Sequence, residues 1–288
     1  MRKLSFIIVA LTMMLAATKV SAMTYDEATL YVRKGLKNRD KVICVEVTMP
    51  IKSNDIEYNM KDMSNTLKGI YRDAKAHTGV ENEGPSLSIR RTHMYSKCEE
   101  ETYTYYTLVC VYMPEYFDTY EQEQQTDAAC RKAVRRLKLK GLSTRKKIEK
   151  IYKFVAKHVR FDKKEERYKK IVHKSSYCSY GAIVKGKAVC QGYAELFYRL
   201  CLIAGIDCRV VYGNEAEPFI HAWNIVKVNG KWYYCDITWD DDGKKADTDY
   251  FLKGKTDFPY HTLSEDFDSS FLQEHKISRS GLKKKRAA

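Results

Sequence analysis

The stretch Gly186-Lys187-Ala188-Val189-Cys190-Gln191-Gly192-Tyr193-Ala194 decides how this chain is read. It follows a short loop and leads into an apolar-periodic run, Tyr193 to Ala204, that predicts a buried helix. Cys190 therefore stands at a helix start. The free N–H groups of a first turn and the positive end of the helix dipole favour the thiolate, the form of cysteine that attacks carbonyls. Gly205 supplies the left-handed position just past the helix end. A lone Cys at a helix start is more often structural than catalytic, so the residues downstream decide the matter.

Three strands are expected after the helix: Cys208 to Tyr212, Phe219 to Val228 and Lys231 to Trp239. Asn229-Gly230 joins the last two and is a hairpin signal, because both residues tolerate positive φ. A two-residue turn there sets Val228 opposite Lys231, His221 opposite Thr238 and Trp223 opposite Asp236. Opposed residues share a sheet face and alternate with period two, so His221 and Asp236 lie diagonally adjacent on one face. That is within reach of an imidazole–carboxylate hydrogen bond, which fixes the ring's orientation and tautomer. The order Cys190, His221, Asp236 is nucleophile, base, orienting carboxylate. All three tryptophans, Trp223, Trp232 and Trp239, fall in this hairpin and read as core and cleft wall.

These blocks, with His221-Ala222-Trp223-Asn224 and Asp236-Ile237-Thr238-Trp239-Asp240-Asp241, resemble the core of the bacterial transglutaminase-like superfamily. Ser176 to Ala182 is similar to the segment before the Cys loop of that group, and Asp249-Tyr250-Phe251-Leu252 to its closing strand; the match runs from about Ile148 to His261. The resemblance implies an α+β, papain-like fold in which a Cys-bearing helix packs on an antiparallel sheet. It implies Cys190 as nucleophile, His221 as general base and acid, and Asp236 as the orienting residue. The Cys190 backbone N–H is a natural oxyanion donor at a helix N-terminus. Tyr180 is a second donor or ordinary packing; Gln191, immediately after the nucleophile, is expected to point elsewhere. His173 and His261 lie near this core in sequence, with no role assigned.

No cofactor or metal is called for. No C-x-x-C occurs to suggest structural zinc, and the family's calcium sites belong to its larger animal members. Asp240-Asp241-Asp242-Gly243 is acidic enough to attract a cation but reads as a turn. His77 and His93 read as structural or exposed.

The N-terminus reads as a processing segment. Arg2 and Lys3 precede an apolar run from Leu4 to Ala17, and Val20-Ser21-Ala22 offers small residues for cleavage. An uncleaved anchor is the alternative. The formal charge of +14 falls to +11 once Arg2, Lys3 and Lys19 leave with that segment. The remaining basic residues are spread along the chain without a nucleic-acid motif, which argues against nucleic acid and for attraction to an anionic cell envelope. Nine cysteines remain; setting Cys190 aside leaves an even number, compatible with disulfides in an oxidising compartment or with small buried hydrophobes.

The expected organisation is a signal peptide over 1–22, a small α+β module over 23–126, a transglutaminase-like core over 127–275 and a basic disordered tail over 276–288. In the module, helices are expected at Tyr25 to Leu36 and Met60 to Ala76, and strands at Val42 to Val47, Ser86 to Arg91 and Tyr103 to Met113. Helices at Asp127 to Leu139 and Thr144 to His158 precede the Cys block. The expected function is an exported acyl-transfer enzyme that hydrolyses peptide or amide bonds through a thioester, its partner a protein or cell-wall peptide. Protein crosslinking and a non-catalytic envelope-binding module are the alternatives.

Overall fold

A computed structural model of the chain describes residues 22–50, 56–75, 95–100, 103–166, 171–215, 219–241, 248–264, 267 and 269–282. The chain divides into two compact units, one holding the residues up to Lys75 together with Ser88–Pro114, the other Ala76–Leu87 and Glu115 onward.

In the first unit, helix α1 (Tyr25–Asn38) starts from a capping box: Thr24 accepts from the Glu27 N–H, and the Glu27 carboxylate accepts from the Thr24 N–H at 2.9 Å. Strand β1 (Ile43–Pro50), helix α2 (Ile56–Lys75), β2 (Tyr95–Glu100) and β3 (Tyr103–Tyr112) follow. The strands form an antiparallel sheet in the order β1-β3-β2. Ala28, Val32, Leu36, Val45, Leu67, Ile70 and Cys110 fill its interior. Strand β2 was not expected. The expected strand at Ser86 to Arg91, His77, His93 and the signal peptide up to Ser21 lie outside the described residues.

The second unit begins with helices α3 (Tyr120–Arg136) and α4 (Thr144–His158), capped by Thr119 and Ser143. α3 starts seven residues before the expected Asp127 and runs across the expected domain boundary at 126/127. Its early turns are polar, but Thr119 and Gln122 form a second capping box that nucleates it there. β4 (Arg160–Phe161) and the short helix α5 (Lys163–Glu166) follow. β4 pairs in parallel with β5 (Lys187–Ala188), which leads directly into helix α6 (Cys190–Ile203).

α6 is the axis of this unit. Every residue from Gln191 to Cys201 is buried, the pattern of a helix surrounded by protein. Its apolar residues join α3 and α4 in one core with Ala222, Val226, Val228, Tyr233 and Cys235 of the sheet. The sheet comprises β6 (Cys208–Glu215), β7 (Phe219–Val228), β8 (Lys231–Cys235), β9 (Phe251–Lys253) and β10 (His261–Leu263), in the order β10-β6-β7-β8-β9. The alternate residues Val211, Trp223, Ile225 and Trp232 enter a second core with Phe258 and with Phe271 of helix α7 (Ser269–Glu274). The period-two pattern thus sends two apolar sets to two cores.

The segment expected to begin a disordered tail is held instead. Ile277 bridges Trp232, the Ser278 N–H donates to the Trp232 carbonyl at 2.8 Å, and the Leu282 N–H to the Leu252 carbonyl at 2.9 Å. Among the described residues no helix is long and apolar enough to cross a membrane.

Candidate active site

The loop that presents Cys190 is stitched on two sides. Arg160 N–H donates to the Gly186 carbonyl at 2.9 Å and Asp162 N–H to Ala188 at 2.8 Å. From the other side the Val189 N–H donates to the Ser176 carbonyl at 2.9 Å. The 173–178 segment that carries Ser176 is itself tied down: Ser176 Oγ donates to Asp162 Oδ2 at 2.9 Å, and buried Glu165 accepts from the N–H groups of Val172 and His173 and from His173 Nδ1. His173 therefore serves this clasp rather than the cysteine. Gly192 explains its place in the motif: a Cβ there would lie 2.6 Å from the Ala188 Cβ and 2.8 Å from the Ser176 carbonyl O. Only glycine lets the first turn of α6 approach so closely.

Cys190 is half-buried at the start of α6, as expected. The N-cap is Val189, which has no side chain to cap with, so the first-turn N–H groups, including that of Cys190, are left for another acceptor. Among the described residues eight cysteines carry free thiols. Burial raises the Cys130 and Cys178 thiols to about 12, which holds them in the unreactive neutral form.

The hairpin keeps the expected register from Val228↔Lys231 to Asn224↔Cys235. It stops there, so the strand expected to reach Trp239 is four residues shorter. Asp236 is the cause. Its Oδ1 accepts from the N–H groups of Thr238 at 2.9 Å and Trp239 at 3.3 Å, folding the chain into a turn that competes with the ladder. The Asp236 N–H donates to the Tyr250 carbonyl at 3.1 Å, and Tyr152 of α4 donates its hydroxyl to the Asp236 carbonyl at 2.6 Å.

The inferred meeting of His221 and Asp236 is present, with His221 Nε2 2.6 Å from Asp236 Oδ2. Both are out of water, their side chains 5% and 1% exposed. Burial alone would lower the His221 pKa, but hydrogen bonds to Asp236 and Cys190, with their negative charge, push it up to about 11. Burial would conversely raise Asp236, yet bonds from His221 and His261 hold it down to about 2. With Nε2 committed to Asp236, Nδ1 is the nitrogen left for Cys190 sulfur. Two of the three residues picked from sequence, His221 and Asp236, thus form a hydrogen-bonded pair.

Tyr180 stands just before a π-turn (Gly181–Lys185), and its ring lies under the Lys185 ammonium at 5.4 Å. Gln191 is buried, and its Nε2 has no hydrogen-bond partner.

His261 is the residue that sequence reasoning left without a role. Its side chain is fully buried, and Nε2 lies 2.9 Å from the same Asp236 oxygen that His221 uses. The ligand atoms of His221, Asp236 and His261 all lie within 4.8 Å of one another, so this set could also hold a transition metal if a cation displaced the protons between them. The acidic turn is committed elsewhere: Asp240 accepts from the Asp249 and Tyr250 N–H groups and shares the single Tyr152 hydroxyl proton with the Asp236 carbonyl, and Asp241 accepts from Tyr193.

Residues 131–237 match the family model of the transglutaminase-like superfamily. The human and mouse proteins named kyphoscoliosis peptidase are each 39% identical to this chain over 64 residues, 18% of this chain and 10% of theirs. A solved structure of a TGase aligns at 16% identity with a TM-score of 0.38, covering 79% of this chain and 55% of that one. The chain thus spans about a tenth of the length of the curated relatives it matches. Residues 131–237 belong to the transglutaminase-like superfamily, on an α+β papain-like core.

Proposed function

We propose that this protein is an exported cysteine-dependent acyl-transfer enzyme that hydrolyses peptide or amide bonds of a protein or cell-wall peptide. The observation that carries the reading is the buried His221–Asp236 pair at 2.6 Å, with the Cys190 thiol among the groups that raise the His221 pKa. In the proposed cycle His221 takes the proton of Cys190 and so generates the thiolate. The thiolate attacks the scissile carbonyl carbon; a C–S bond forms and the π electrons move to oxygen, toward the uncapped N–H groups of the α6 first turn. On collapse the C–N bond breaks, and His221 gives its proton to the departing amine. A water then loses a proton to His221 and attacks the thioester, releasing the acid and the thiolate. An amine reaching the thioester before water would give a crosslink by the same steps.

The hydrolytic reading draws support from the peptidase names of the relatives that align over 64 residues. Export rests on the Arg2-Lys3, Leu4 to Ala17 and Ala22 pattern, and envelope contact on the charge of +11 that remains after cleavage.

Incubation with casein and with peptidoglycan peptides, each with and without a fluorescent amine, tests the activity. Cleavage that disappears in Cys190→Ala is the expected result. Fluorescent incorporation would make the enzyme a crosslinker. No turnover together with ordinary Cys190 reactivity would make the protein a binding module. N-terminal sequencing of protein recovered from the medium or envelope is expected to begin at Met23, and an intact leader there would overturn cleavage.

A further inference from the structure

Asp162 is a buried carboxylate outside the Cys190, His221 and Asp236 set, and both of its oxygens are in use. Oδ1 accepts from the Lys187 ammonium at 2.7 Å and from the Glu165 N–H at 3.2 Å. Oδ2 accepts from the Ser176 hydroxyl at 2.9 Å. One side chain therefore joins three pieces of backbone: its own, between β4 and α5, the 173–178 segment, and the loop that ends at Cys190.

Taking a carboxylate out of water is unfavourable unless its lone pairs are met. An apolar side chain would fill the same space without that cost. It would fix no direction, however, because apolar contact is non-directional. Short hydrogen bonds to a charged acceptor do fix direction.

What they fix is the approach to the nucleophile. Lys187 stands in β5, three residues before Cys190. The Asp162 N–H, donating to the Ala188 carbonyl at 2.8 Å, ties the same residue's backbone to this loop. Ser176 acts from the other side. Its carbonyl accepts the Val189 N–H at 2.9 Å, and Val189 is the N-cap whose extended backbone sets where α6 begins. The same carbonyl lies 2.8 Å from where a Cβ on Gly192 would stand. Moving Ser176 thus moves residues on both sides of Cys190. The Lys187 side chain is 47% exposed, so its ion pair adds little to stability, and its consequence is placement.

We propose that Asp162 is a positioning residue of the Cys190 site: its carboxylate holds Lys187 and Ser176 together, and through them sets Val189 and the first turn of α6. A misplacement of about 1 Å at a reacting atom can cost on the order of a hundredfold in rate, so a hold on the loop counts in reactivity before it counts in stability. The inference rests on the reading of Cys190 as the nucleophile.

The test needs no known substrate. Cys190 alkylation by iodoacetamide at neutral pH is followed by mass spectrometry, alongside the melting temperature, in the wild type, Asp162→Asn, Asp162→Leu, Ser176→Ala and a core control, Ile151→Val. Asp162→Leu is expected to slow alkylation about tenfold. Asp162→Asn keeps an acceptor for Lys187 and a polar partner for Ser176, whose hydroxyl can turn to accept, so its rate stays within about threefold of wild type. Ile151→Val removes a buried methyl group from α4 and lowers the melting temperature, with the alkylation rate expected to match wild type. Hydrogen exchange at the Val189 amide is expected to quicken in Asp162→Leu and not in Ile151→Val. A folded Asp162→Leu that alkylates at the wild-type rate or faster overturns the proposal, and so does an equal fall in Ile151→Val. If Asp162→Leu does not fold, Ser176→Ala, which removes one arm alone, decides in its place: a fall of about threefold is expected, and an unmoved rate overturns the proposal. Wild-type Cys190 no more reactive than in the urea-unfolded chain would sink the underlying reading instead.

Discussion

Helices α1, α3 and α4 begin with Thr24, Thr119 and Ser143, each accepting a first-turn N–H, whereas α6 begins after Val189 and caps with nothing. The first three ends are finished structures. The fourth is left open at the residue that carries the nucleophile. A cap is worth about 1 kcal/mol, so the open end is a local loss of stability retained where an incoming oxyanion could use the donors. The buried charge repeats this contrast: among the described residues, the buried Asp, Glu, His and Arg side chains, such as Asp162, Glu165, His221, Asp236 and Asp240, all lie in the second unit. The capped helix ends finish at their own side chains, whereas the start of α6 keeps its donors open beside the nucleophile.

The largest effect is expected from Asp236→Asn. It leaves the buried His221 and His261 rings without their counter-ion, and stability should fall by about 3–5 kcal/mol in chemical denaturation. Turnover of any substrate cleaved by the wild type should fall about a thousandfold, because the imidazole loses the partner that sets its tautomer. The same variant tests the pH dependence. Asp236 is held near 2 against an ordinary 3.8, so its contribution is present above 3.8 and lost as pH falls toward 2. His221 is raised to about 11 from an ordinary 6.5, so its contribution is full below 6.5 and lost as pH climbs toward 11. Melting temperature against pH should show both flanks in the wild type and flatter ones in Asp236→Asn.

Gly192→Ala tests whether the open end must also be placed. Its methyl meets the Ala188 Cβ and the Ser176 carbonyl, so the first turn must shift. We expect a cost of about 1–3 kcal/mol and a rate loss of about a hundredfold; stability lost with the rate intact would show that the turn's position is not critical. Val189→Thr breaks the comparison most directly, by capping the open helix. The melting temperature should rise with about 0.5–1 kcal/mol of added stability, while the acylation rate falls about tenfold. A gain in both would refute the idea that those donors serve the reaction. The smallest effect is reserved for Thr24→Ala, which should cost about 1 kcal/mol and leave Cys190 alkylation unchanged.

How far the sequence could be read follows from the range of the interactions. β7, α4 and the start of α6 fell within their expected bounds because alternation, a Ser143 cap and a helix-ending Gly205 are local signals. The Asn229-Gly230 turn fixed the register as far as Asn224↔Cys235, and His221 meets Asp236 just beyond the end of that ladder. The shortened β8 was missed because Asp236 reads as one more alternating residue until its own side chain is seen taking the Thr238 and Trp239 N–H groups. The early start of α3 was legible in Thr119 and Gln122, which a search for apolar spacing passes over. His261 could not be read: β10 is three residues long, and its tie to Asp236 spans 25 positions of chain.

β10 has a second consequence, for association rather than chemistry. The sheet ends in two strands of three residues, β9 and β10, so its exposed margins offer little backbone for another chain to pair with. Behind β10 lies β6, eight residues long. A chain cut before Tyr260 would lose His261 and at the same stroke bare the Tyr212–Glu215 stretch that β10 covers, extending the open edge of β6 to its full length. Such a truncation should elute as dimers and larger species, a result that size-exclusion chromatography would read directly.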